Sequence, residues 1–496
     1  MERFEKFSTS FISGRFLASN AGKARMLINP STARPLFKTF DADASSQIQL
    51  AVDAAQETFS TKLMFWSGAM RRDALLAIAN VLVTNKDFLA ESEAIAGKTI
   101  TDSKFDVDAS AECFRFFAGL ADKLHGRFFS MNPHAHAYTI REPIGVCGLI
   151  TSFNYPLRTS AFVVLTAWKL APALASGNAV ILKPAHQTPI STLILASLIS
   201  NKSKDSVLPA GAVNVLLGDA SVGAALVEKS GVNKISFTGS TAAGSHVAKS
   251  LATSNLRKAT LELGGKNAII VYADANLDKA VTFIIEAAFS NAGQNCCAGS
   301  RLYLHSSVHD QVIQMLKRAA SKLKIGDALN PDTDIGPLVD KTAMSRVDGF
   351  ISRARARQNG AVVEEIFETE SFLELDGNFV PPTIFSNVAD EDEIAIEEIF
   401  GPVLAVMKPF DTIEESVMRA NSSKYGLAAG VFTESMKVAH IASSNLKAGF
   451  VWINQYNNMP PYMPLGGMKL SGYGKECGYE AIDEFTFTKS VFSSFS

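Results

Sequence analysis

Hydrophobic and polar residues follow two different periods along this chain, and each period predicts a different element. Short continuous apolar runs predict strands buried on both faces, and each is followed by a longer stretch with helical spacing. The runs are 178–184, 212–218, 233–239 and 267–272, and the helical stretches include 221–230, 241–254 and 275–293. Strands that alternate with helices in this way predict parallel α/β units wound around a buried sheet.

Two further regions extend this pattern. The first hundred residues look mostly helical, with amphipathic stretches at 46–60 and 71–96. After residue 300, helical stretches at 306–323 and 415–423 indicate a second set of α/β units. Because 496 residues exceed what one hydrophobic core usually organises, we expect two α/β domains.

Composition and charge narrow the classes of partner. The chain is 47% hydrophobic and 19% charged, with a formal net charge of −2, which gives no reason to expect nucleic acid or an anionic membrane. The longest apolar run, 160–182, contains Lys169 and Pro172, and therefore predicts buried elements and no membrane span. The N-terminus shows no apolar signal segment.

The five cysteines favour a reducing, cytoplasmic location over a disulfide scaffold. Their number is odd and no C-x-x-C spacing occurs. His134 and His136 lack a cysteine or carboxylate at ligand spacing, so we expect no metal site.

One turn offers a candidate phosphate site. The chain has no G-x-G-x-x-G, but "FTGSTAAG" at 237–244 places Gly239, Ser240 and Gly244 between a strand and a helix. Backbone N–H groups at such a helix start can bind a phosphate. Lys183 lies just beyond another strand end, where open α/β sheets bind ligands, although a lysine there is often only solvated.

Residues for nucleophilic catalysis are also present. Cys296 and Cys297 are adjacent thiols, Asn154 offers an amide for a developing oxyanion, and Glu262 lies among apolar residues that would raise its pKa and suit it to general-base work. Each residue has an ordinary alternative: a packed thiol, a helix cap or an ion pair. Neighbouring side chains point in different directions, so only one thiol can occupy an attack position.

Taken together, seven ordered motifs resemble the aldehyde dehydrogenase superfamily from about residue 10 to the end of the chain. They are "SFNYPL", "SFTGSTAAG", "LELGGKNAIIV", "NAGQNCCAGSR", "EEIFGPV", "YGLAAGVF" and "PLGGMKLSGYGKE". The resemblance implies an α/β fold of two parallel-sheet, Rossmann-like domains with a small β oligomerisation arm. It also implies NAD(P)-dependent oxidation of an aldehyde to a carboxylic acid through a cysteine thiohemiacetal and a thioester.

The resemblance also assigns roles to residues. Cys296 matches the nucleophile, Asn154 the oxyanion donor together with the Cys296 N–H, and Glu262 the base for deacylation; Cys297 matches a neighbour that is not catalytic. The positions that match cofactor-binding residues are Lys183, His186, Gly239, Ser240, Glu398 and Phe400. Tyr155, Trp168 and Tyr456 are expected at the substrate tunnel.

The resemblance also suggests a substrate class and a choice of cofactor. "FNYP" and "INQYNNMPP" look most like the betaine-aldehyde and trimethylaminobutyraldehyde branch, in which Tyr155 and Tyr456 would help to cage a quaternary ammonium. The family often has a glutamate where this chain has His186. Histidine does not repel a 2′-phosphate, so we expect NAD and keep NADP open.

One departure supports an alternative function. The segment between Asn154 and Trp168 is longer than the family usually has, and it could reshape the tunnel or displace Asn154. The alternative is a catalytically silent relative with a binding or structural role.

The resemblance further predicts domain boundaries and assembly. Residues 1–127 and 146–262 would bind the dinucleotide, 263–460 would form the catalytic domain, and 128–145 with 476–496 would be oligomerisation strands. These strands pair between subunits in the family, so we expect a homodimer or homotetramer that takes a small-molecule aldehyde.

Overall fold

The computed structural model describes most of the chain. The described residues are 2–18, 22–132, 134–154, 164–203, 206–254, 256–357, 361–364, 366 and 375–495. Within them, no helix is long and apolar enough to cross a membrane.

Helices cover the faces of the sheets, and several begin at a side-chain cap. Ser67, Thr99, Asp219, Asp340 and Thr412 each accept a bond from a backbone N–H in the first turn of the helix that follows, which satisfies a donor that the helix itself leaves free. The α-helices are Glu2–Glu5, Gln47–Thr61, Gly68–Thr84, Lys86–Ala94, Ile100–Ala121, Val164–Ala175, Ile190–Ile199, Ala220–Glu228, Thr241–Ser254, Leu277–Phe289, His309–Ala320, Lys341–Ala356, Glu393–Ile396, Ile413–Asn421, Met436–Asn445 and Glu480–Glu484.

The first sheet contains three of the four predicted buried strands. Its five central strands are parallel, and all of their residues are buried except at the start of Lys258–Glu262. In spatial order the strands are Arg15–Phe16, Phe11–Ile12, Val213–Val215, Ala179–Lys183, Val146–Ile150, Lys234–Thr238, Lys258–Glu262 and Gly472–Tyr473.

The strand order of this sheet reverses at one point. From Val146–Ile150 the chain proceeds outward on one side and then returns to start Lys234–Thr238 on the other side. Ligands of doubly wound sheets bind outside the carboxyl ends of the strands at such a switch point. Residues 151–154 and 239–240 follow these two strands directly.

A second, mostly parallel sheet contains the fourth predicted strand. In spatial order its strands are Val362–Glu364, Thr383–Val388, Val403–Met407, Arg301–Leu304, Ala268–Val271, Ala428–Phe432 and Phe450–Ile453. Residues 263–267 connect the last parallel strand of the first sheet to the start of Ala268–Val271. The α/β fold class with two parallel sheets is therefore confirmed, whereas the predicted domain boundaries remain a prediction.

A small third sheet forms an arm. Thr486–Ser494 pairs antiparallel with Ala135–Pro143, which pairs in turn with Phe128–Asn132. Both predicted oligomerisation segments therefore pair with each other inside one chain, where we expected their pairing to lie between subunits.

The prediction of a mostly helical first hundred residues is wrong for residues 11–40. These residues form the short strands Phe11–Ile12, Arg15–Phe16, Ala24–Ile28 and Pro35–Phe40, the last two paired as a hairpin. Strands of two to six residues are too short to show a clear period of two, so the long helices after residue 46 dominated the pattern.

Candidate active site

Several of the predicted residues line one cavity of about 470 Å³ between the carboxyl ends of the first sheet and the start of the second, whereas Lys183 and Glu262 do not. Seven predicted residues line it: Asn154, His186, Gly239, Ser240, Cys296, Glu398 and Phe400. The described remainder of the lining is Ser152, Phe153, Leu165, Gln187, Thr238, Leu263, Gly264, Val339, Asp340, Thr342, Ala343 and Arg346.

The two adjacent thiols have different environments. Cys296 lines the cavity and is partly exposed, whereas Cys297 is 0% exposed in the core. Burial, and then the hydrogen bond with Cys296, raises the pKa of the Cys297 thiol well above its ordinary value. Only Cys296 can therefore meet a molecule bound in the cavity.

The backbone around Cys296 is held from three sides. Asn267 Nδ2 donates to the carbonyl oxygens of Cys296 and Ala298, at 2.8 and 2.9 Å, and Tyr456 donates its hydroxyl to the Cys297 carbonyl at 2.9 Å. The Cys297 N–H donates to Asn295 Oδ1 at 2.8 Å. Such fixed contacts keep the thiol in place before any substrate arrives.

A strained turn precedes the cysteines. Asn291, Ala292 and Gly293 have φ values of 51°, 54° and 69°, and a Cβ on Gly293 would lie 2.1 Å from the Gly401 carbonyl oxygen. Consecutive left-handed residues are costly for side chains other than glycine and persist where surrounding contacts fix them. Here Asn291 Nδ2 supplies such a contact by donating to the Asn154 carbonyl at 2.6 Å.

The Asn154 side chain is oriented by its neighbours. Ser152 Oγ donates to Asn154 Oδ1 at 2.5 Å, and Asn154 Nδ2 donates to the Gln294 carbonyl at 3.2 Å. A carboxamide nitrogen carries two hydrogens, so one hydrogen remains for a ligand in the cavity. Asn291 and Gln294 are positioning residues that the sequence reasoning missed.

Glu262 lies behind the cavity, at the end of strand Lys258–Glu262. It is 5% exposed, and its Oε1 has no hydrogen-bond partner among the described residues. Burial above all, and then the negative charge of Glu476, raises its pKa well above the ordinary value. A carboxyl with a raised pKa can take a proton near neutral pH.

A buried ion pair accompanies Glu262, and the sequence reasoning missed it as well. Lys169 Nζ pairs with Glu476 Oε1, and Ser236 Oγ contacts both groups, at 2.9 and 3.1 Å. The Lys169 charge opposes the rise in the Glu262 pKa, and the Glu476 charge adds to it. A lysine inside the apolar run 160–182 was the available signal.

The glycine turn provides a cradle at a helix start. Ser240 Oγ accepts the N–H of Ala243 at 3.2 Å, at the beginning of helix Thr241–Ser254. A Cβ on Gly239 would lie 2.6 Å from Phe237 Cζ, and one on Gly244 would lie 2.3 Å from Leu263 Cδ2. Glycine thus brings the backbone close to its neighbours, and the residues before this helix, Gly239 and Ser240, line the cavity.

Glu398 and Phe400 line the opposite wall. Glu398 Oε1 accepts the Gly265 N–H at 2.9 Å, and a Cβ on Gly264 would lie 2.3 Å from Glu398 Oε2. Arg346, a lining residue absent from the predicted set, donates to the carbonyls of Glu398 and Ile399. Its position in a helix far along the chain gave no motif to find it by.

Lys183, predicted just beyond a strand end, is the last residue of strand Ala179–Lys183, and His186 lies in the turn that follows. Lys183 is 6% exposed, and burial lowers its pKa to about 8. Burial, followed by the charges of Arg25 and Lys183, lowers the pKa of His186. Both side chains carry N–H groups that can donate hydrogen bonds.

Two of the three predicted tunnel residues are buried in the core. Trp168 is 2% exposed inside helix Val164–Ala175, and Tyr456 is 1% exposed with its hydroxyl bound to Cys297. Neither lines the described cavity, because the helix turns Trp168 into the core and a buried tyrosine hydroxyl takes a buried partner. Tyr155 lies outside the described residues, as does most of the longer segment after Asn154.

The described residues contain no group of three or more His, Cys, Asp or Glu that could hold a metal ion, and all five cysteines are free.

Comparison with known proteins gives the same family that the motifs suggested. The model of the aldehyde dehydrogenase family matches residues 16–491. The chain is 40% identical over 491 residues to an aldehyde dehydrogenase of Davidiella tassiana, covering 99% of this chain and 96% of that protein.

Solved structures agree over nearly the whole chain. An indole-3-acetaldehyde dehydrogenase in complex with NAD⁺ superposes with a TM-score of 0.92 at 35% identity, covering 98% of this chain and 96% of that one. A betaine aldehyde dehydrogenase from Staphylococcus aureus in complex with NAD⁺ gives a TM-score of 0.91 at 32% identity, covering 99% and 95%. The chain therefore belongs to the aldehyde dehydrogenase family.

Proposed function

We propose that this protein oxidises an aldehyde to a carboxylic acid with NAD as the hydride acceptor. The observation that carries the proposal is the convergence of a partly exposed thiol, a free amide hydrogen and a helix N-terminus on one cavity, with a buried carboxyl behind it. The experiment is NADH formation by the full-length protein across short, aromatic and amino aldehydes. A protein that binds NAD but oxidises none of them would support the silent alternative.

The residues fit a dinucleotide at one end of the cavity. The Gly239–Ser240 turn would hold the pyrophosphate, Lys183 the adenosine ribose, and Glu398 and Phe400 the nicotinamide ribose and ring. The cradle that a Cβ on Gly239 or Gly244 would fill supports this assignment. Bound NAD supplies the acceptor for a hydride.

The first chemical step belongs to Cys296 and Asn154. The Cys296 thiolate adds to the aldehyde carbon, and the carbonyl oxygen becomes an alkoxide. Asn154 Nδ2 and the Cys296 N–H donate to that oxygen, and fixed donors of this kind contribute about 2.7–4 kcal/mol each to the barrier reduction. After loss of hydride, the acyl group remains on Cys296 Sγ as a thioester.

The second step belongs to Glu262. Its carboxylate takes a proton from water, the resulting hydroxide attacks the thioester carbon, and the carbon–sulfur bond breaks to release the acid and the thiolate. The overall balance is aldehyde, NAD⁺ and water to carboxylate, NADH and two protons. The nearby Lys169–Glu476 pair adjusts the charge around Glu262 and so tunes its proton affinity.

One of the two tyrosines behind the amino-aldehyde hypothesis does not line the cavity. Tyr456, one of two residues behind the amino-aldehyde hypothesis, is bound in the core. That hypothesis therefore depends on Tyr155 and on the family branch alone. If it is right, betaine aldehyde and 4-trimethylaminobutyraldehyde will give a higher kcat/KM than uncharged aldehydes of equal length.

Cofactor choice gives a testable prediction at His186. We expect His186→Glu to weaken NADP binding about tenfold and to leave NAD binding nearly unchanged, because a carboxylate beside the ribose repels a 2′-phosphate. Quenching of protein fluorescence measures both Kd values without turnover. His186→Gln is the uncharged control, and an unchanged Kd for NADP in the glutamate variant would place the ribose elsewhere.

Assembly gives another prediction. We propose a homodimer or homotetramer joined through the arm, because Phe492 is 72% and Phe129 49% exposed, and both pair across Ala137 in the same row of the sheet. Phe492→Glu should shift the protein to a smaller species in native mass spectrometry. Met436→Glu, at another exposed apolar side chain, should not. An unchanged mass in Phe492→Glu would show that this face is not the contact.

We also propose a reducing compartment such as the cytoplasm, supported by the free cysteines.

A further inference from the structure

Lys266 is a buried lysine whose ammonium nitrogen has no hydrogen-bond partner among the described residues. It is 1% exposed. Two other buried lysines have partners: Lys169 pairs with Glu476, and Lys234 donates to Thr260 Oγ1 at 2.7 Å. A buried ammonium without a partner is costly, so this site calls for a ligand or a neutral amine.

Lys266 lines a small cleft of about 20 Å³ together with Asn267, the residue that holds the Cys296 carbonyl. Arg301, 4% exposed, also lines the cleft. Its guanidinium donates to the carbonyls of Lys266 and Ala420 and to the Tyr303 hydroxyl, at 2.9, 2.9 and 3.0 Å. A guanidinium has five N–H groups, so donors remain for a ligand.

Positive charge continues toward the mouth of the cleft. Lys447 lines it and is exposed, and Lys469 donates to the carbonyls of Asn421 and Ser423 at 2.8 and 2.9 Å. Burial, and then the charges of Arg301 and Lys447, lowers the pKa of Lys469.

Burial, and then the charge of Arg301, lowers the pKa of Lys266 to about 7, and the charges of Glu398 and Glu397 oppose this change. Glu397 accepts from Lys424 Nζ at 2.6 Å, and Glu398 accepts the Gly265 N–H at 2.9 Å. The cleft therefore collects cations around an unpartnered donor and lacks a carboxylate in its described lining.

We propose that this cleft binds one monovalent anion of halide size, chloride, between Lys266 Nζ and Arg301. Its volume exceeds the roughly 10–15 Å³ that one water needs and leaves too little room for a phosphate. The anion also braces the active site, because Asn267, the next residue, donates to the Cys296 carbonyl at 2.8 Å. Chloride binding does not require aldehyde turnover, so it is tested by binding and stability.

The first test compares the Tm of the full-length protein in sodium chloride and sodium gluconate at equal ionic strength. Chloride should stabilise the wild-type protein saturably, and Lys266→Met should weaken the apparent chloride affinity about tenfold or more, as expected for loss of a charge-assisted bond. Lys234→Met is the matched control, since Lys234 is a buried lysine with partners, and it should keep the chloride response. An equal response in wild type and Lys266→Met overturns the proposal.

The second test does not depend on a variant that folds. Crystals of the wild-type protein soaked in bromide should give an anomalous peak within hydrogen-bonding distance of Lys266 Nζ. An ordered water at that position, with no anomalous signal, overturns the proposal.

Discussion

Replacing Cys296 by alanine is expected to abolish aldehyde oxidation and to leave NAD binding intact. The thiol lines the cavity and no other described cysteine does, so the variant has no nucleophile to form the thioester. Removal of a nucleophile lowers kcat by on the order of 10⁴-fold or more. The measurement is NADH formation at saturating aldehyde, with Kd for NAD determined in parallel by fluorescence.

Cys297→Ala is the matched control, because the two thiols are adjacent in sequence but only Cys296 lines the cavity. Cys297 is 0% exposed and packs in the core, so its loss should lower stability by about 1 kcal/mol and preserve most of kcat. Equal loss of activity in the two variants would contradict the assignment of the nucleophile.

Glu262→Gln is expected to separate the two chemical steps. The amide is similar in size and cannot take a proton from water, so acylation proceeds and deacylation stalls. Steady-state turnover should fall about 10²–10⁴-fold. Rapid mixing should still show a burst of NADH near one equivalent per active site. Loss of the burst together with turnover would mean that Glu262 acts before hydride transfer.

Glu262 also determines how turnover changes with pH. Burial and Glu476 raise the Glu262 pKa, and only the ionised carboxyl can act as a base. Turnover in the wild-type protein should therefore fall as pH decreases through this raised pKa, while the burst persists. In Glu262→Gln, turnover should no longer fall with decreasing pH in this range. If the fall remains in the variant, another group causes it.

Much of the fold could be predicted because buried parallel strands have a strong local signature. Runs such as 178–184 and 233–239 are apolar on both faces, and the strands Ala179–Lys183 and Lys234–Thr238 lie within them. The short strands before residue 40 lack that signature. The arm segments were predicted from the family resemblance, but their sequence did not show that Thr486–Ser494 returns to pair with Ala135–Pro143 of the same chain.

The candidate site also has parts that local motifs reveal and parts that only long-range contacts reveal. Cys296, Asn154 and the Gly239 turn lie in local motifs, and the structure gathers them at one cavity. The apolar run around Lys169 could indicate a buried lysine, but its partner Glu476 lies 307 positions away, so no local pattern could identify the pair. Tyr456 has a side chain suited to a tunnel wall, but its hydroxyl meets a carbonyl in the core, a contact that composition cannot predict.

The most direct test of the covalent account is mass spectrometry of Glu262→Gln quenched after incubation with NAD⁺ and an aldehyde. If Cys296 is the nucleophile and Glu262 acts in deacylation, the peptide containing both cysteines gains the mass of the acyl group. Fragmentation then places that group on Cys296, and NADH forms in equal amount. NADH without an acyl group on Cys296, or an acyl group on Cys297, would contradict the covalent account.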